Sequence, residues 1–138
     1  MTTLLDARPW SGGLPVPFAC EDDGGMLDHS AVVKRRAIRC ALSRICGLCG
    51  DTLTRPIAFL GPESESLSGL FTFPPTHLGC AEEALVLFVP IGGCHLGQSE
   101  PPLRWALVTT GGFDLLRPTR RGDPVHFKPN SILTSRWA

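Results

Sequence analysis

RICGLCGDTL (residues 44–53) sets two cysteines, Cys46 and Cys49, on one glycine-flanked turn, and PPTHLGCAEEAL (residues 74–85) sets His77 and Cys80 three positions apart at the head of an apolar-striped segment. Zinc takes four thiolate or imidazole ligands in a tetrahedron at about 2.0–2.3 Å. A C-x-x-C turn supplies two of them, and an i, i+3 pair on one helix face supplies two more. Gly47 and Gly50 give the backbone the freedom that such a cysteine knuckle needs. In a first helical turn, the thiolate of Cys80 would also be favoured by the helix dipole.

Six cysteines could instead form three disulfides. The start MTTLLDARPW has neither the basic segment nor the apolar run of a secretory signal, so a cytoplasmic, reducing setting is expected, in which metal binding accounts better for the spacing. Two competing readings are buried free thiols beside a hydrogen-bonded core histidine, and a redox-active C-x-x-C. The latter belongs in a βαβ context that the sequence lacks.

At 138 residues, 43% apolar and 19% charged, the chain has the make-up of a globular protein with one core. Fifteen glycines and thirteen prolines imply short elements and many turns. Thirteen basic and thirteen acidic residues cancel, which excludes a global field drawing the chain to nucleic acid or an anionic membrane and leaves only local electrostatics. No apolar run reaches the ~20 residues that span a bilayer, so no membrane partner is expected.

The expected organisation is one domain: an extended arm over 1–30, a helix plus zinc module over 31–90, and antiparallel strands over 91–138. In the arm, Leu14, Val16 and Phe18 alternate between prolines and should lie against the body as an edge segment. Ser30 can cap a helix through AVVKRRAIRCALSRI, whose apolar side takes Val33, Ala37, Ile38, Ala41, Leu42 and Ile45, with Cys40 a small core residue. TLTRPIAFLG and GLFTF read as a hairpin around a polar loop, PESESLS. Thr76 can cap a second helix with Leu78, Ala81, Leu85 and Phe88 inside, ended by Pro90. LRWALVTT, GGFDLLRP and DPVHFKP read as three short strands, with Trp105 in the core. The fold class is α+β.

A knuckle, an intervening hairpin and two ligands at a helix start resemble the treble-clef zinc finger over roughly residues 44–90. The resemblance implies Cys46 and Cys49 as knuckle ligands, His77 and Cys80 as helix ligands, and zinc as cofactor. LPVPF, RICGLCG, AFLGP and FPPTHLGCA together also resemble short zinc-binding proteins of actinobacteria and their phages, a likeness that implies no activity. It departs at LFVP, where Val89 stands in place of an expected cysteine. Some treble-clef proteins are His-Asn-His nucleases, but residues 50–76 contain no histidine to serve as general base. A closed Cys3His set leaves no coordination position for water or substrate, so the ion reads as a staple.

Between Lys34 and Arg44 lie five basic residues and no acid, and Arg35, Arg36 and Arg39 gather on the polar side of the helix, suited to phosphates. The competing reading is a solvated helix face offset by the acidic EDD upstream. RPTRRGDP (117–124) adds a second basic knot. Cys94 and His95 in GGCHLG, with His126, are the catalytic candidates, set against the ordinary turn and strand roles that follow from neighbouring side chains rarely facing each other. The leading expectation is thus a non-catalytic zinc-stabilised binding module contacting nucleic acid through the basic helix. Alternatives are a small enzyme or ligand-binding protein with its site between the zinc body and the C-terminal strands, and a protein-binding adaptor with an exposed apolar patch.

Overall fold

The computed structural model describes residues 5, 7–22, 24–25, 27–98 and 100–137. A two-stranded ribbon, β1 (Trp10–Ser11) with β2 (Leu14–Pro15), leads through a 3-10 turn (Phe18–Cys20) to α1 (Lys34–Ser43). Then come β3 (Ile57–Pro62), α2 (Glu63–Ser68), β4 (Thr76–His77), α3 (Leu78–Phe88), β5 (Trp105–Leu116) and β6 (His126–Trp137). The last four strands make one antiparallel sheet in the order β4-β3-β5-β6.

Alternation along β3 gives the sheet two apolar faces. Ile57 and Phe59 join Phe71, Val108, Val125 and Phe127 on one side, where Ala37 of α1 covers them. Ala58 and Leu60 point the other way, with Leu107 and Trp105, toward α3, the arm and the cysteine knuckle. The α+β class, the two longer helices and the arm before the main sheet agree with the sequence reading.

Several boundaries differ. Ser30 does not cap α1: it bonds to Asp28 Oδ1 through both its N–H (2.9 Å) and its hydroxyl (2.7 Å), a local turn that competes with capping. The helix starts at Lys34, and the N–H of its N-cap residue Val33 donates to Ala19 O at 2.7 Å. Leu42, expected inside, is exposed. Thr76 is not the cap of α3, a place taken by His77; its buried hydroxyl donates to Ala58 O at 2.9 Å.

ESESLS forms α2, ended by Gly69 at φ 77°, rather than a loop. GLFTF is not a strand: Phe71 exchanges two backbone hydrogen bonds with Phe127, and the donorless prolines 74 and 75 postpone pairing with β3 until Thr76. LRWALVTT and GGFDLLRP merge into the twelve-residue β5, which runs through Gly111 and Gly112 with a register shift at Thr109/Thr110 instead of turning. Among the described residues no helix is long and apolar enough to cross a membrane.

Candidate metal centre

The knuckle is closed by an antiparallel bridge between Ile45 and Thr52. Inside it, Cys46 N–H donates to Asp51 O (2.8 Å) and Gly50 N–H to Cys46 O (3.0 Å). Gly50 sits at φ 86°, and a Cβ there would lie 2.9 Å from the Phe18 ring, so both conformation and space demand glycine. Gly47 N–H donates to Pro75 O at 2.8 Å, which holds the knuckle against the chain entering α3. His77 ends β4 as the N-cap of α3, and Cys80 follows in the first turn.

The ligand atoms of Cys46, Cys49, His77 and Cys80 therefore converge, all within 4.8 Å of one another. A zinc tetrahedron with bonds of about 2.3 Å to sulfur and 2.0–2.1 Å to nitrogen has sulfur–nitrogen edges of roughly 3.6 Å. His77 Nδ1 lies 3.4 Å from Cys49 Sγ and 3.7 Å from Cys80 Sγ. Its other nitrogen, Nε2, is 2.8 Å from Thr52 O, so the ring keeps its proton there and presents Nδ1 as the bare donor.

Cys46 Sγ accepts from the N–H groups of Leu48, Cys49 and His77, each at 3.4 Å, and Cys49 Sγ from that of Asp51 at 3.5 Å. Burial works to raise the Cys46 thiol, but hydrogen bonds from the Cys49 and Cys80 thiols and from the backbone outweigh it, and hold it far below the ordinary range. Cys80 is pushed the other way, chiefly by its bond to Cys46 and then by that to Cys49. Neighbouring thiolates resist joint ionisation unless a cation sits among them, and a divalent ion supplies that charge. The donor set, its spacing and its outer hydrogen bonds fit zinc.

The other candidates are dispersed. Arg35 and Arg39 are exposed on α1, whereas Arg36 lies half-buried with its guanidinium 4.4 Å from the Phe18 ring centroid, donating to Phe18 O (3.0 Å) and 3.5 Å from Glu21. Glu21 also accepts from Arg8 at 2.6 Å. The second basic knot meets the start of α1: Lys34 and Ala37 share a cleft of about 140 Å³ with Gly122, Pro124 and Val125. Arg117, Arg120 and Arg121 are exposed in that connection.

Cys94, His95 and His126 form no common site. His95 is buried, its ring stacked on Phe88 at 4.8 Å and edge-on to His29 at 5.9 Å, while His126 opens β6 opposite Leu116. Clefts of about 370, 330 and 140 Å³ include none of the three in their walls. The His29–His95 pair escapes sequence reasoning because the two residues meet only through tertiary packing. His29 Nε2 faces Ser11 O (2.9 Å), His95 Nε2 faces Gly92 O (2.8 Å), and Leu96 N–H donates to His29 O (2.7 Å). Together they fasten the arm to the 92–97 loop.

Knuckle, antiparallel strands and helix N-terminus, with two ligands from each end, define a zinc-binding module of treble-clef-like type. Comparison of the chain with protein-family models, with curated proteins and with solved structures finds no match.

Proposed function

We propose that the protein is a zinc-stapled, non-catalytic binding module whose partner is nucleic acid, engaged by the outer face of α1 and the neighbouring β5–β6 connection. The closed Cys3His set has no place for a reacting water, which directs attention to surfaces. The observation that carries the reading is the meeting of two basic segments: Lys34 adjoins the connection that bears Arg117, Arg120 and Arg121, and Arg35 and Arg39 are exposed on the same helix. A local basic surface suffices to bind phosphates even when net charge is zero.

Arg36 is excluded from this role because it holds the arm. The test is therefore the double variant Arg35→Ala/Arg39→Ala, with Arg36 intact. Fluorescence anisotropy with labelled single-stranded DNA and RNA should show salt-dependent binding, weakened several-fold in the variant with a shallower salt slope. Absence of binding by the wild type at low salt would dismiss the reading.

A second reading, a protein partner, is favoured by the edge of the sheet. On β6, Ile132, Leu133 and Trp137 are exposed and the outer side of the strand is unpaired among the described residues.

A further inference from the structure

A cleft of about 370 Å³ opens between the knuckle's flanks and the sheet, with Arg44, Thr54 and Arg55 on one wall and Gly111, Gly112 and Asn130 on the other. No acidic side chain lines it. Arg8, Arg36, Arg104 and Arg136 each lie against a carboxylate. By contrast, the guanidinium groups of Arg44 and Arg55 have no ion pair and no hydrogen bond among the described residues. The Arg44 guanidinium rests over the Phe113 ring at 5.6 Å, an aromatic support that positions the charge without neutralising it.

The backbone at Arg44 and along the opposite wall is fixed. Arg44 closes α1 at φ 54°, ψ 61°, and its carbonyl accepts the N–H of Leu53 at 2.8 Å, so the knuckle sets its direction. Across the cleft, the Thr110 hydroxyl lies against the carbonyls of Gly112 and Asn130 and holds the irregular stretch of β5. A Cβ at Gly112 would come within 2.9 Å of Asn130 Oδ1 and displace that amide from the wall. Two guanidinium forks with no ion pair among the described residues line the open cleft beside Thr54, and guanidinium groups match phosphate oxygens in pairs, while the Asn130 amide donates to Asp114 Oδ2 at 3.4 Å and closes the far wall.

We propose that this cleft is a phosphate-binding site that takes one phosphodiester of a nucleic-acid strand, with Arg44 and Arg55 as its cationic ligands. It deepens the nucleic-acid reading above and rests on it for the source of the phosphate. A free nucleotide or inorganic phosphate presents the same chemistry, and the test separates these sources.

The experiment uses the zinc-loaded full chain. Inorganic phosphate is titrated while the backbone amides of Gly111 and Gly112 and the Asn130 side-chain amide are followed by NMR. An oligodeoxythymidylate of about fifteen nucleotides is titrated by anisotropy. The variants are Arg55→Ala and Arg44→Asn, the latter because asparagine tolerates the left-handed conformation, with Arg104→Ala as an equal loss of charge outside the cleft. Zinc content and melting temperature of each variant provide the folding control.

The expected result is saturable amide shifts with phosphate, and oligonucleotide affinity lowered about tenfold or more by either cleft variant but unchanged in Arg104→Ala. Phosphate shifts without oligonucleotide binding would support the site with a small phosphate ligand and overturn the nucleic-acid reading. Oligonucleotide binding that survives both cleft variants intact, without phosphate shifts, would overturn the site and leave that reading standing. If neither probe binds, both fall.

Discussion

Cys20 and Cys46 are both buried sulfur atoms, and what surrounds each gives it a different chemistry. Cys46 receives three backbone N–H groups and the company of other ligands, the surroundings of a thiolate. Cys20 sits in the apolar core, its only described hydrogen-bond acceptor the carbonyl of His29 at 3.8 Å, and burial, aided by Asp28, pushes its thiol well above the ordinary value of 9.0. The folded chain thus keeps a proton that the unfolded chain releases once the pH passes about 9. This contribution to stability is complete below that pH and declines as pH rises further, by about 1.4 kcal/mol per unit for one proton. Denaturant unfolding of the zinc-loaded protein between about pH 8 and pH 10.5 should show a decline that is shallower by up to that slope in Cys20→Ala; parallel declines would show that Cys20 ionises freely in the fold. The four zinc ligands were legible in the sequence because their chemistry fixes residue types at short spacing. The roles of Cys20, His29 and His95 were not, since they depend on partners distant in sequence, such as Phe88 or the carbonyl of Ser11.

Elements were legible where a period and a stop signal coincide. Helix α3 follows paired prolines and ends before Pro90, and its ligand positions follow from that frame. Helix α2 was hidden because ESESLS lacks an apolar stripe; Glu65 fixes it by accepting from Thr72 N–H at 3.2 Å and the Thr72 hydroxyl at 2.8 Å, a contact with no local signature. In β5, the Gly111–Gly112 pair imitates a turn, yet pairing with β6 on both sides carries the strand through. The same extension leaves β6 as a long edge strand whose last residues are exposed on both faces. Pro129 interrupts the donors near its start, but Ile132 and Leu133 carry no charge to discourage edge-to-edge pairing. If this edge joins a second copy, light scattering after size exclusion should show a mass that rises with concentration in the wild type and stays monomeric in Ile132→Lys/Leu133→Lys. A monomer at all concentrations would remove the self-pairing reading.

Across the whole molecule, the knuckle is the point where otherwise separate parts meet. Phe18 and Ala19 of the arm donate their N–H groups to Leu48 O and Gly47 O, both at 3.0 Å. Gly47 reaches Pro75, and α1 in turn receives its N-terminal support from Ala19. The apolar residues divide into clusters on the two faces of the sheet, so neither is as large as the chain length would allow, and a cross-link beside the arm compensates. In small zinc-folded peptides the ion contributes about 10–16 kcal/mol of apparent folding free energy, against about 5–15 kcal/mol for the total stability of a domain. Elemental analysis should accordingly find one zinc per chain, and either chelation or Cys46→Ser should abolish the cooperative thermal transition or lower its midpoint steeply. Hydrogen exchange localises the effect: the amides of Phe18, Ala19, Cys46 and Gly47 should lose protection first, while those of the paired segment Phe59–Leu60 in β3 follow later. An apo protein that melts at the holo temperature with those amides still protected would show that the arm and knuckle hold together without the ion, and the staple would then be incidental to the fold.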